Sequence, residues 1–267
     1  MRVTLYGTRG SIPAPGPETM RYGGNTPAVQ VCAENGAVLV LDAGSGIRRL
    51  GAQLSAATTR VDILLTHLHM DHIQGLGFFP PLYNPAVEVH LWGPASSTLS
   101  LEARLSRYLS PPLFPIHLRD LPSVSCHSVP RPSFDIGPFR ILTALVSHPG
   151  PTVGYRIEAD GGVLSYLSDH EPALCLHNGQ WPGREWVSGF DLAADTDLLI
   201  HDAQYTDEEY DSHVGWGHSS YRHALEFASY VGARKLVAFH QEPVTATPLS
   251  RSRIAVALMP TPARPIK

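Results

Sequence analysis

The chain has 267 residues, a net charge of −4 and a hydrophobic fraction of 43%, enough for a substantial core in one large domain or two small ones. Its mildly acidic balance argues against a dedicated nucleic-acid binder, which shows a basic face, and no apolar run is long enough to span a bilayer. With 23 glycines and 24 prolines it is not of low complexity, but it has the means for many tight loops.

In chain order, Arg2–Gly7 has the pattern of a strand and not of a secretory signal. Strands are predicted over Ala28–Ala33 and Ala37–Asp42. Glu34-Asn35-Gly36 joins them as a hairpin turn, because Asn and Gly tolerate positive φ. A helix follows over Ile47–Ala57, apolar at Ile47, Leu50 and Leu54. Next come strands at Val61–Thr66 and Val87–Trp92, then a helix over Ser97–Leu109 that Pro111-Pro112 stops. The Pro- and Ser-rich stretch Pro111–Pro138 reads as an irregular surface loop. Strands resume at Phe139–Ser147, Val153–Glu158 and Val163–Ser168, the last two around Asp160-Gly161-Gly162. Glu171–Gly189 reads as a second surface loop. Strands Asp197–His201 and Lys235–His240 flank a helix over Ser220–Val231, with Ser219 or Ser220 as N-cap and Gly232 past its end. Hairpins mixed with helices imply an α/β fold of two packed sheets with helices outside. No linker or repeat interrupts the chain, so a single domain over 1–267 is expected. Cys32, Cys126 and Cys175 are odd in number and far apart. They fit buried thiols in a reducing compartment, the cytoplasm.

The run Thr66-His67-Leu68-His69-Met70-Asp71-His72 sets three imidazoles and a carboxylate directly after an apolar strand. Those donors suit zinc, iron or manganese. His67 and His69 alternate and can face one way on an extended segment. Asp71 and His72 follow as the chain turns and can serve a second metal. Other strands also end in a metal-competent residue, at His148, Asp169, His201-Asp202 and His240. Ligands gather at the carboxyl ends of strands in α/β sheets, so these residues can meet in one cleft.

On these residues the chain resembles the metallo-β-lactamase superfamily over nearly its whole length. His67, His69, Asp71 and His72 match its HxHxDH motif, and His148, Asp169 and His240 match its later ligands in order and spacing. The resemblance implies a four-layer αβ/βα sandwich. It also implies two divalent metal ions, zinc by first choice. His67, His69 and His148 would hold one; Asp71, His72 and His240 would hold the other; Asp169 would bridge. His69 is not Glu, which disfavours the oxygen-reducing branch, and Asp169 stands where class B β-lactamases lack an Asp. The pattern resembles binuclear hydrolases: glyoxalase II, lactonases and phosphodiesterases. Two metals about 3.5–4 Å apart would share a water and lower its pKa, and the shared hydroxide would attack. Asp42 ends another strand and matches a superfamily residue that supports the metal shell, although it can equally cap the helix at Ile47. His170, His201 and His213 are expected to be solvated or capping residues.

Gly215-Trp216-Gly217-His218-Ser219-Ser220 precedes a helix, so free N–H groups and a positive helix end suggest an anion site there. His218 can protonate a leaving alkoxide. The segment is similar to the GHST-type element of ribonuclease Z and related phosphodiesterases. His201-Asp202-Ala203-Gln204-Tyr205 resembles their HEAT element, with Asp202 in place of Glu to orient His218. The catalytic set is therefore Asp71, His218 and Asp202. His148 and Asp169 lie only 21 positions apart, leaving no room for a tRNA-gripping arm. The implied substrate is a small or nucleotide-type phosphodiester, with a thioester or lactone as the rival and a non-catalytic role as a third reading. Gly7–Pro13 and Tyr22–Thr26 resemble substrate loops of small phosphodiesterases, where Arg9 or Asn25 would touch substrate or simply shape turns. Related hydrolases are often homodimers.

Overall fold

The computed structural model describes residues 1–129, 132–242 and 256–258. Its first sheet holds β1 (Arg2–Gly7), β2 (Ala28–Cys32), β3 (Val38–Leu41), β4 (Arg60–Leu64), β5 (Glu88–Pro94) and β6 (Val124–Val129), in that order. The second holds β7 (Ser133–Ile136), β8 (Phe139–Leu145), β9 (Val153–Ala159), β10 (Gly162–Leu167), β11 (Leu198–Asp202), β12 (Lys235–Phe239) and β13 (Val256–Leu258). Strands β3 to β6 are parallel, as are β10 to β12, and antiparallel pairs make up the rest.

Period-2 alternation assigns each strand's side chains to two faces. Leu39, Leu41 and Leu64 point inward and pack with Ile141, Tyr155, Ile157, Tyr166, Val237 and Phe239 in a core between the sheets. Val40 and Ile63 point outward onto α1 (Ile47–Ala52) and α3 (Leu101–Leu105). Past the short helices α4 (Phe190–Ala193) and α5 (Asp207–Tyr210), Leu236 and Ala238 point outward onto α6 (Tyr221–Tyr230), through Ala224, Phe227 and Ala228. The result is the expected four-layer αβ/βα sandwich. Among the described residues no helix is long and apolar enough to cross a membrane.

Several expectations need correction. The helix predicted over Ile47–Ala57 stops at Ala52, because the Ser55 hydroxyl accepts the Ala57 N–H, local bonding that competes with a helix. The helix predicted over Ser97–Leu109 shrinks to Leu101–Leu105, since Ser96 takes the Thr98 N–H and Ser100 caps by accepting from Ala103. By contrast, α6 is capped by Ser220 and followed by Gly232 at φ +72° as predicted. Pro111–Pro138 is no simple loop: it carries β6 on the edge of the first sheet and β7 on the edge of the second, while Pro130 and Arg131 lie outside the described residues. The domain expectation likewise covers residues 243–255 and 259–267, which lie outside them. The three cysteines are free but only half-buried.

Candidate metal centre

Because β4, β10, β11 and β12 run in one sense within their parallel blocks, their carboxyl ends open onto a common cleft. His67 lies just past β4, and His69 is the N-cap of the short α2 (Met70–Ile73) that carries Asp71 and His72. His148 follows β8, Asp169 follows β10, and His240 follows β12. The structure brings these seven residues together. His67, His69 and His148 each place one ligand atom within 4.8 Å of the others, and Asp71, His72 and His240 do the same. Asp169 lies between the trios. Its Oδ1 is 3.1 Å from His72 Nε2, and its Oδ2 is 3.3 Å from His240 Nε2, 3.7 Å from His67 Nε2 and 4.0 Å from His148 Nε2.

Second partners fix the imidazole tautomers. His72 Nδ1 faces Asp42 Oδ2 at 2.8 Å, His148 Nδ1 faces the Gly217 carbonyl at 2.9 Å, and His240 Nδ1 faces Gln204 Oε1 at 2.9 Å. Each acceptor holds a proton on Nδ1 and leaves a lone pair on Nε2. Thr66 Oγ1 can donate to Asp42 and lies 3.0 Å from His67 Nδ1, which gives His67 the same tautomer. The four Nε2 lone pairs then converge on Asp71 and Asp169. His67 Nε2 is buried and unpartnered, and Asp169 Oδ1 forms no hydrogen bond despite its closeness to His72. Such orphaned donor atoms, with buried carboxylates facing lone pairs, fit divalent cations. Burial pushes His67 and His148 below the usual imidazole range, favouring the neutral form that binds metal. Burial also opposes charge on His72, but Asp169, Asp71 and Asp42 outweigh it and hold its pKa well above normal. A cation at His72 Nε2 would take that proton's place.

Asp42 adopts φ +57° at the end of β3 and accepts from Thr66 N at 2.8 Å and Tyr166 Oη at 2.8 Å, besides His72. It does not cap α1, whose N-cap is Gly46. Gly10 approaches His240 so closely that a Cβ there would sit 2.6 Å from the ring, so the N-terminal loop packs against a cluster residue. Arg9 Nε donates to the Gly23 carbonyl and Asn25 Oδ1 accepts from Ser45, both shaping turns.

His218 stands beside the cluster with its side chain 12% exposed, its Nδ1 2.7 Å from Asp202 Oδ2. The shorter Asp closes this contact fully. Burial opposes a charge on His218, but Asp202, Asp169 and Asp71 outweigh it and raise its pKa to about 9. The expected anion site at the helix start is filled by the protein itself. Gly215 N and Gly217 N donate to the buried Glu171, and Ser219 N donates to Asp202. Gly217 needs its φ of +89°, and a Cβ there would lie 2.4 Å from His148 Nδ1.

Two histidines also depart from expectation. His170 and His201 are fully buried. Ser147 N donates to Ser188 Oγ, Ser188 faces His170 Nε2, His170 Nδ1 faces His201 Nε2, and His201 Nδ1 faces the Asp202 carbonyl. This chain ties the segment bearing His148 to the strand bearing Asp202. His213 stacks on Tyr205. Glu171 and Gln204 escaped sequence reasoning, because their side-chain partners lie 36 or more positions away and no local periodicity marks them.

Comparisons with known proteins bear on the fold and the family. Ribonuclease Z of Haloarcula marismortui is 24% identical over 282 residues, covering 90% of this chain and 86% of that protein. Among solved structures, the short form of human tRNase Z aligns with a TM-score of 0.65 and 24% identity over 91% of this chain and 93% of that one. A diphosphatase of the PhnP family aligns with a TM-score of 0.64 and 17% identity over 90% and 86%. The family model for the beta-lactamase superfamily domain matches residues 38–241, a span that runs from β3 to just past β12 and takes in all seven clustered residues, and the chain belongs to that family.

Proposed function

We propose that the chain is a binuclear metal-dependent phosphodiesterase, a single domain acting on a small or nucleotide-type phosphodiester. The observation that carries this reading is His218, held by Asp202 at 2.7 Å next to the donor cluster yet outside both trios. With Nδ1 committed to Asp202, the proton it offers is on Nε2. A phosphodiester expels an alkoxide, which needs that proton; a thioester expels a thiolate, which leaves without one. A lactone shares the need, and the ribonuclease Z relatives, not His218, argue against it.

His67, His69 and His148 would hold one ion, Asp71, His72 and His240 the other, and Asp169 both. Zinc suits this donor set best, with manganese or iron also compatible, and bound metal supplies Lewis-acid polarisation and a water acidified towards neutrality. Glu171 fixes the loop that carries His218, and Asp202 keeps its imidazole protonated and aimed. The ribonuclease Z relatives support a phosphodiester substrate. The β9–β10 hairpin fills the stretch between His148 and Asp169, which favours a small substrate over structured RNA. Three free cysteines support a cytoplasmic location.

The test is hydrolysis of bis(p-nitrophenyl) phosphate with metal content measured on the same sample. We expect two metals per chain and turnover that chelation abolishes. On a phosphodiester with an alkoxide leaving group, such as thymidylyl-3′,5′-thymidine, His218→Ala should lower kcat roughly 10²- to 10⁴-fold and retain metal; p-nitrophenolate needs no proton, so turnover of the aryl ester should fall far less. Full activity of that variant on the dinucleotide, or turnover of a thioester or lactone and of no phosphodiester, would overturn the reading.

A further inference from the structure

A cavity of about 530 Å³ lies beside the cluster, lined by Leu68, Met70, Arg104, Arg107, Tyr108 and Leu113 among others. Leu68 and Met70 line it and flank His69 in sequence, and His69 is itself exposed, so chain adjacency places the cavity near that donor. Its size is that of a small-molecule site.

Its two cations stand out. Among the described residues neither Arg104 nor Arg107 has a carboxylate partner, which several surface arginines also lack; what sets this pair apart is that both line a cavity and that Arg104 is partly buried there. Arg104 is tethered through Nη2 to the Pro94 carbonyl, and its Nε is buried without a hydrogen-bond partner. Half-burial without a counter-charge lowers its pKa. Tyr108 has its hydroxyl committed to the Gln74 carbonyl at 2.6 Å and adds an aromatic ring to the wall. A guanidinium pair without counterions, set in apolar and aromatic walls, suits an anionic group on an organic body. Arginine matches the oxygens of phosphate in particular.

We propose that this cavity is a subsite for a second phosphate of the substrate, bound by Arg104 and Arg107, so that the preferred phosphodiesters carry a further phosphate. The inference rests on the phosphodiesterase reading above. The donor cluster engages the scissile phosphodiester, and the arginines engage the phosphate that does not react.

Two substrates with one reacting centre test it: thymidine 5′-(p-nitrophenyl phosphate), and the same ester carrying a 3′-phosphate. Binding of thymidine 5′-monophosphate and thymidine 3′,5′-bisphosphate to the metal-loaded full chain, by calorimetry, gives a readout independent of turnover. We expect the extra phosphate to improve KM and Kd about tenfold or more, and Arg107→Met to bring both ratios close to one. Arg104→Met should do the same. If its tether to Pro94 proves necessary for folding, the exposed Arg107 still decides. Equal values for the two ligands in the wild-type chain, or a preference that survives Arg107→Met, would overturn the subsite. Hydrolysis of both esters at equal efficiency removes the subsite and leaves the phosphodiesterase. Arginine-dependent binding without turnover of either ester keeps the subsite and removes the phosphodiesterase.

Discussion

The first sheet delivers His67, His69, Asp71 and His72 from one stretch after β4, whereas the second delivers His148, Asp169 and His240 from three strand ends and His218 from a loop. The supports differ accordingly. On the first side one buried carboxylate, Asp42, organises Thr66 and His72 together. On the second side each histidine has its own support: Gln204 for His240, the Gly217 carbonyl for His148 and Asp202 for His218, with Glu171 holding the loop. A contiguous motif is set by one strand and one turn, so a single anchor suffices. A dispersed set needs an anchor for every backbone that brings a donor in, and those anchors are where the chain keeps its buried polar groups.

Substitutions can break this contrast or sharpen it. The largest effect is expected at Asp169, where the two sides meet. Asp169→Ala should abolish retention of two metals and lower turnover roughly a thousandfold or more, read by metal analysis and by kinetics on the same sample. If both ions stayed bound, the two sides would be independent sites. Next comes Asp42, whose failure should be one of stability. Asp42→Asn keeps a residue type that tolerates φ +57° but leaves several donors facing an amide. A loss of about 3 kcal/mol is expected, measured by denaturant unfolding in the presence of chelator. The smallest effect is expected at Glu171. Glu171→Gln should lower kcat about tenfold by loosening the His218 loop, with metal content unchanged. A loss of metal in that variant would show that the loop also supports His148, and would blur the division between the sides.

Most of the layered fold could be read from residues. Continuous apolar runs such as Val38–Leu41 and Lys235–Phe239 mark strands buried on both faces, and α6 carries its own cap and stop. The missed elements lack such marks. Strand β6, Val-Ser-Cys-His-Ser-Val, is weakly apolar because an edge strand buries little, and β7 has only four residues. Helices α1 and α3 were overestimated because apolar spacing continued past positions where serine hydroxyls captured backbone N–H groups. The site divides in the same way. The seven clustered residues could be named because metal chemistry restricts ligand types and each ligand sits next to a strand pattern.

The sequence by itself determined the donor types, their order and the strands that would carry them, because side-chain chemistry and hydrophobic period are local properties. Tertiary structure alone decided what the remaining polar groups do. It buried Glu171 in a stretch that reads as surface, and turned two N–H groups of the helix-start loop onto that carboxylate instead of a ligand. It linked His170 to His201 in the interior, and left Arg104 and Arg107 facing a cavity without a counter-charge. Each outcome depends on which buried group meets another across 30 or more positions of chain, or on which group meets none, and no local pattern encodes such meetings.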